Sequence, residues 1–416
     1  MAKVEGSNPF IRSRERPANG RVDRKGDRMI ADLHCHYPMH LVADEPDPGG
    51  PNEAWLRKIL DKIEGEIVDV VAKMVNDSDW SSGWRVKSVE GLQLGGAGIV
   101  CSVLYWPSAE FDLGHLNEAP PLDGYFDYLK RQLEFIENGL PEATADGTPV
   151  FVAKTATDLA KVGIRFVHCV EGGFQLGEDT AKLDERVQWL SQRGVLYITL
   201  AGLFYRQIAT EAPAMPLFSD QKFLEIFPEP DKPGLTERGE KLIEAMYRHK
   251  ILIDISHMSE RAVKETFGLV ERLEGSNPKT DYPIIATHVG MRSAGPAARA
   301  QEYNLSDETA RKIAERDGVI GLIAAQHQLG ETTSEDESAA IVKAHLDAIG
   351  TALGGDASAV AALGTDIDGF IKPTLDGFEK AEDFMKLERW VRAAGQQDPE
   401  AILHRNAERV IRRAFE

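Results

Sequence analysis

Five short apolar runs in this chain end on a histidine or an acid, and that recurrence limits the folds open to it. Ile30-Ala31-Asp32-Leu33-His34-Cys35-His36 carries two histidines one residue apart, and Ile164 to Val170 leads into Glu171. Ile251 to Ser256 leads into His257, Pro283 to Thr287 into His288, and Val360 to Thr365 into Asp366. A strand alternates its faces with period two, so His34 and His36 point the same way and can grip one ion. A lone strand-end histidine is more often a hydrogen-bonded structural residue, but the same placement in five segments is hard to attribute to chance. The fold must therefore gather the carboxyl ends of its strands.

Apolar, β-rich runs recur at 30 to 34, 99 to 104, 164 to 170, 195 to 200, 251 to 255, 284 to 287, 319 to 324 and 360 to 365. Helical patterns lie between several of them. Thr236 stands as an N-cap before Leu242, Ile243 and Met246, and Ser306-Asp307-Glu308 opens a helix ending near Asp317-Gly318. Strand and helix in alternation predict a parallel sheet, and eight such units predict a closed (β/α)8 TIM barrel, with its active site at the strands' carboxyl ends.

The barrel is expected over residues 29–416 as one domain, with two long insertions over its active face, at 106 to 150 and 203 to 233. Both are rich in aromatic residues, among them Trp106, Phe111, Tyr125, Tyr128, Phe204 and Phe227, which suit either the walls of a site or plugs against helices. From Asp383 onward two helices are expected, one presenting Leu387, Trp390 and Val391, the other Ile402, Val410 and Ile411. Residues 1–28 read as a basic arm, with Arg12, Arg14, Arg16 and Arg28 among Ser, Pro and Gly, draped over the barrel or used in an oligomer contact.

A formal charge of -19 argues against nucleic acid or an anionic membrane as partner. No run approaches the roughly 18 apolar residues of a membrane span, and the first residues lack the apolar core of a signal peptide. Cys35, Cys101 and Cys169 all fall in apolar runs, an odd and buried set that argues against a disulfide framework and for the cytoplasm.

Four imidazoles and two carboxylates are more ligands than one catalytic zinc can take while keeping an open position. Two divalent ions sharing a carboxylate fit the count better, with zinc the expected metal. Such a pair lowers the pKa of a bridging water and polarises a nearby carbonyl, the requirement for hydrolysing an amide or ester.

These blocks together resemble the renal or membrane dipeptidase family of binuclear zinc peptidases, within the wider amidohydrolase superfamily. Val170-Glu171-Gly172-Gly173 is similar to that family's bridging-glutamate block, and Leu252 to His257 and Ile285 to His288 to its two histidine strands. Gly364-Thr365-Asp366-Ile367-Asp368-Gly369 is similar to its Gly-x-Asp-Phe-Asp-Gly signature, and Gly234-Leu235-Thr236-Glu237 and Gly95-Gly96-Ala97-Gly98 also match. The resemblance implies that Glu171 bridges two metals, that His34 and His36 hold the first with Asp366 nearby, and that His257 and His288 hold the second. A bridging hydroxide would attack the scissile carbonyl, with Asp366 moving its proton to the departing amine and Asp368 orienting the loop. It also implies a small dipeptide substrate and a homodimer.

The sequence departs from the family pattern in places. His36 stands where the family has an aspartate, which leaves the cluster one charge more positive. Gly202 falls where the family carries a substrate-polarising histidine, and Tyr205, Arg206 or His168 could take over that role. For the arginine that binds the substrate carboxylate the candidates are Arg299 and Arg292. These departures keep open a hydrolase of another small amide, N-acyl amino acid, ester or lactone, and beyond it a metal-binding scaffold without turnover.

Overall fold

Each of the eight apolar runs forms a strand, and all of the strands are parallel. A computed structural model of the chain describes residues 29–38, 89–110, 123–215, 218–275, 282–295 and 302–416. The basic arm expected over 1–28, Phe111 and Arg299 lie outside these residues.

The strands are β1 (Ile30–Cys35), β2 (Ala97–Leu104), β3 (Val150–Val152), β4 (Ile164–Glu171), β5 (Tyr197–Thr199), β6 (Leu252–Asp254), β7 (Ile284–Val289), β8 (Ile320–Leu322) and β9 (Ala361–Leu363). They run in the order β2-β1-β9-β8-β7-β6-β5-β4, and pairing of β2 with β4 closes the barrel. The ninth strand, β3, is an addition that the sequence reading lacks. It lies beside the first half of β4, pairing Val150 with Ile164 and Val152 with Phe166, while β5 takes the second half through Val170 and Ile198. Only three residues long and half-buried at two of them, it has no periodic signature to read.

Helices pack around the strands. The helix Glu237–His249 starts on Thr236, whose side chain accepts the Gly239 N–H, and it buries Leu242, Ile243 and Met246. Ser306 caps Asp307–Glu315 in the same way through the Thr309 N–H. The chain ends in Phe384–Ala393 and Asn406–Phe415, which bury Leu387, Trp390, Val391, Val410 and Ile411. The described parts of the insertions carry aromatic residues that extend the barrel core. Trp106 stacks on Tyr128 with ring centroids 4.2 Å apart, and Phe204 meets Phe227 at 4.8 Å. No helix among the described residues is long and apolar enough to cross a membrane.

One local distortion shapes the barrel top. The register of β7 against β8 shifts between Ala286 and Val289, at Thr287 and His288. The Thr287 carbonyl oxygen lies so close to the neighbouring strands that a Cβ at Gly364 would stand 1.6 Å from it, and one at Gly321 would stand 1.9 Å away. Only glycine fits at either position.

Candidate metal centre

The strands deliver all six candidate residues to one point. Asp32 and His34 on β1 and His36 just past its end share a parity and face inward, and Glu171 is the last residue of β4. His288 lies on β7, while His257 and Asp366 sit just past β6 and β9 with φ of 66° and 59°. Non-glycine residues seldom adopt that left-handed conformation, and when they do they cluster at functional sites. Asp368 shares it, at φ 65°. The Asp366 N–H donates to the His34 carbonyl at 2.9 Å, which ties the loop after β9 to β1.

Glu171 lies at the centre, and its two oxygens face different partners. Oε2 is 3.1 Å from His36 Nε2 and 3.6 Å from His34 Nε2. Oε1 is 3.0 Å from His257 Nε2 and 3.7 Å from His288 Nε2. Asp366 Oδ1 joins the first pair, 3.1 Å from His36 Nε2 and 3.8 Å from His34 Nε2. His34 also lies within reach of the second pair, since one set of atoms within 4.8 Å of one another comprises His34, Glu171 and His288 and the other His34, His36 and Asp366. We divide the cluster by the oxygens of Glu171, because that division also accounts for His257.

A divalent ion suits this arrangement. Ligands at about 2.1 Å around a tetrahedral ion lie roughly 3.4 Å from one another, in the middle of the range these atoms span. Two of the ligand atoms, His34 Nε2 and Asp366 Oδ1, are buried without a hydrogen-bond partner, while the Nε2 atoms of His257 and His288 pair with each other at 2.9 Å.

Electrostatics agree with a cationic occupant. Burial would raise the Glu171 pKa, yet His257, His34 and His36 hold it well below the usual carboxylate range. Burial would lower His36, but Asp366 and Glu171 bring it up to about 9. His288 is pushed well below its ordinary value by burial and by the neighbouring His34 and His257.

The orientation of the imidazoles comes from residues that the sequence reading did not single out. Asp254 accepts the Thr287 hydroxyl at 2.6 Å, the Thr287 N–H at 3.0 Å and the Thr199 hydroxyl at 2.6 Å. With its only proton committed to Asp254, the Thr287 oxygen can only accept, and it lies 2.8 Å from His288 Nδ1 and 3.1 Å from His34 Nδ1. The Tyr197 hydroxyl, which donates to the Leu33 carbonyl at 2.8 Å, accepts from His34 Nδ1 at 2.9 Å. Both imidazoles therefore carry the proton on Nδ1 and turn the Nε2 lone pair inward, as metal-ligating histidines do. Asp32 holds Thr365 beneath Asp366 through the N–H at 2.8 Å and the hydroxyl at 2.7 Å. A polar residue of inward parity within an apolar run was the signal for both aspartates, because a buried carboxylate must be paired.

The cluster opens into a narrow cleft walled by Tyr105, Leu203, Ala214, Tyr303 and Phe370. Four other expected residues sit elsewhere or alter their part. Arg292 does not line the cleft: its guanidinium donates to Glu260 at 2.7 Å and to the Asn304 and Glu302 carbonyls. Arg206 is buried behind the wall, donating to the Ala109 carbonyl at 2.6 Å with its guanidinium 5.0 Å over Phe174. Tyr205 is half-buried and gives its backbone N–H to Glu211. His168 faces outward from β4, 3.5 Å from Glu137 on the helix Gly124–Gly139.

Known proteins place this chain. A stretch of 189 residues is 32% identical to an uncharacterised Klebsiella pneumoniae protein from the region 5′ of pqqA, covering 44% of this chain and 62% of that protein. Another of 181 residues is 29% identical to Dipeptidase 3 of Rattus norvegicus, covering 43% of this chain and 33% of the rat protein. The chain thus matches less than two thirds of the length of either relative. Among solved structures, dipeptidase AC, a metallopeptidase, superposes with a TM-score of 0.58 at 18% identity, over 85% of this chain and 95% of the other. A Rhodobacter sphaeroides metallopeptidase bound to a phosphinate mimic of L-Ala-D-Ala gives 0.56 at 19% identity, over 92% and 99%. These likenesses establish the fold. The profile of the membrane dipeptidase family matches residues 66–416, and the chain belongs to that family, the metallopeptidases of family M19.

Proposed function

We propose that this protein is a binuclear zinc-dependent dipeptidase. The observation that carries the reading is the split of Glu171, with Oε2 toward His34 and His36 and Oε1 toward His257 and His288. His34, His36 and Asp366 would hold one ion, His257 and His288 the other, and Glu171 both. When bound, the pair of ions lowers the pKa of the attacking water and polarises the scissile carbonyl.

Asp366 Oδ1 has no hydrogen-bond donor of its own. It would accept the proton of the attacking water and pass it to the nitrogen of the departing amine. Thr287 and Tyr197 hold the imidazoles in the tautomer this requires, so no ring must turn during turnover. Tyr105, Leu203 and Phe370 close the sides of the cleft above the cluster.

A second reading, hydrolysis of another small amide, N-acyl amino acid or lactone, draws support from Arg292, whose guanidinium is committed to Glu260 and two carbonyls. Elemental analysis and a ninhydrin assay with L,L and L,D dipeptides, on wild type and Asp366→Asn, decide between them. About two zinc ions per chain and dipeptide hydrolysis that disappears in the variant are expected. Two ions without dipeptide turnover transfers the claim to the second reading, and one ion or none removes the bridging role of Glu171. A reducing, cytoplasmic setting is proposed as well, because none of the buried Cys35, Cys101 and Cys169 is in a disulfide; cell fractionation tests it.

A further inference from the structure

Two walls of the cleft flank the strand that carries Glu171, and one buried carboxylate reaches both. Tyr105 follows β2 and Leu203 follows β5, and both of these strands pair with β4, which ends on Glu171. Glu110 ends the short helix Pro107–Glu110 after β2; its side chain is wholly buried and does not line the cleft. The carboxylate has its place because residue 202 is glycine: a Cβ there would stand 2.4 Å from Oε2.

Its Oε1 accepts the Phe204 N–H at 3.0 Å, which fixes the backbone beside Leu203. The Tyr105 hydroxyl lies within hydrogen-bonding reach of the same carboxylate, and neither that hydroxyl nor Glu110 Oε2 has another partner. Burial and the charge of Glu110 hold the phenol well above its ordinary pKa, so the hydroxyl keeps its proton and donates it. Glu211 takes the next N–H of the same wall, from Tyr205, but of the two acids it is Glu110 that also reaches Tyr105. Tyr105 in turn stands edge-to-face with the His36 ring, centroids 5.2 Å apart, and with Phe370 at 6.4 Å, so a tether on its hydroxyl holds a whole aromatic side of the cleft.

We propose that Glu110 is a positioning residue that clamps the Tyr105 and Leu203 walls together over the end of β4 and thereby sets the size of substrate side chain that the cleft admits. The assignment rests on the dipeptidase reading and deepens it. A small side chain fits between walls that stay where they are. A large one requires Tyr105 or the backbone beside Leu203 to yield, and either movement pulls a donor away from a buried carboxylate, which breaks a charge-assisted hydrogen bond. The clamp therefore turns a polar contact outside the cleft into discrimination inside it.

The test uses the zinc-loaded protein and two ligand pairs: Ala-Ala and Leu-Leu for turnover, and the phosphinate mimics of both for calorimetric binding. Wild type is expected to favour the smaller member of each pair by roughly tenfold or more. Glu110→Leu removes both hydrogen bonds at similar volume and brings the preference to within about threefold, through a lower KM for Leu-Leu, while Tyr105→Phe frees one wall and lowers it by about threefold. Glu110→Gln can accept the Phe204 N–H through its oxygen and donate to the Tyr105 oxygen through its nitrogen, so it keeps the preference. Zinc content stays at the wild-type value throughout, since the clamp acts on the walls and not on the ligands; a zinc loss that parallels the change in preference overturns the proposal. Equal treatment of both sizes by wild type, an undiminished preference in Glu110→Leu, or one lost as fully in Glu110→Gln also overturns it. If Glu110→Leu does not fold, an undiminished preference in Tyr105→Phe does the same. Size discrimination in binding without hydrolysis of either dipeptide sinks the dipeptidase reading alone, and binding of neither mimic sinks both.

Discussion

Two aspartates grip two threonines in this barrel with nearly the same hydrogen bonds, and they do different things. Asp32 on β1 takes the N–H and hydroxyl of Thr365 after β9, at 2.8 and 2.7 Å. Asp254 on β6 takes the N–H and hydroxyl of Thr287 on β7, at 3.0 and 2.6 Å. Each aspartate also receives the backbone N–H two residues on, from His34 at 3.3 Å and Ser256 at 3.1 Å. The clasps differ in what the threonine touches next. Thr365 turns back on its own loop, accepting the Ile367 N–H at 3.2 Å, so it fixes the backbone that presents Asp366. Thr287 accepts from His288 and His34, so it fixes side-chain tautomers on both halves of the metal cluster. The same pair of residues thus serves as a backbone staple on one side and as an imidazole orienter on the other.

The harshest way to break the comparison is Gly364→Ala, which strikes both clasps together. Gly364 precedes Thr365 and also lies against the Thr287 carbonyl, where a Cβ would be 1.6 Å from oxygen. Backbone on both sides leaves no flexible group to yield, so a loss of roughly 3 kcal/mol or more in urea unfolding is expected. A variant as stable as wild type would mean that β7 can give up its distortion, and the orientation of Thr287 with it.

Thr287→Val should separate the clasps. It keeps the shape but leaves the His288 N–H without its acceptor and the His34 N–H with Tyr197 alone, and loss of such an outer partner costs on the order of 10- to 100-fold in metal affinity. Zinc competition with a chromophoric chelator measures this, and Thr287→Ser should restore it. Were affinity unchanged in the valine variant, Tyr197 alone would be orienting His34, and the hub assigned to Thr287 would be wrong.

The asymmetry between the clasps was out of reach of the sequence, although much around it was not. The barrel was legible because eight apolar runs alternate with capped helices, and the six strand-end residues were legible because parity and position alone bring them to one rim. Glu110 was not, because its placement depends on the space left by Gly202, more than ninety positions away in a different loop. Thr287 was read as the last residue of an apolar run; the bulge that turns its hydroxyl toward two imidazoles arises from packing against Gly321 and Gly364. The failure of Arg292 to reach the cleft has a similar origin, since its partner Glu260 is supplied by another helix. Spacing along the chain carries no information about such competitors.

Thr365→Val sharpens the contrast from the other side. It removes the hydroxyl that donates to Asp32 Oδ2 and strands a carboxylate oxygen in the interior, at a cost of about 1 to 3 kcal/mol in stability. No imidazole loses a partner, so zinc affinity should stay within a few-fold of wild type. A loss matching that of Thr287→Val would erase the distinction between staple and orienter.

A third clasp nearby uses an imidazole in place of a carboxylate, and this makes its grip depend on pH. His345 Nδ1 accepts the Met291 N–H at 2.9 Å and its Nε2 donates to the Leu329 carbonyl at 3.0 Å, so only the neutral ring can do both. Burial lowers its pKa to about 4, well under the ordinary 6.5, although the Leu329 carbonyl opposes the shift. The folded state therefore resists a proton that the unfolded chain takes up, and stability falls as pH drops below the unfolded value. Between about pH 7.5 and about pH 5.5 the loss from this group is about 1 kcal/mol. His345→Gln can keep both hydrogen bonds and cannot titrate, so urea midpoints of the metal-free protein over that range should flatten by this amount. A slope equal to that of wild type would mean that the ring is not held neutral, and that the loop after β7 is gripped by something other than this imidazole.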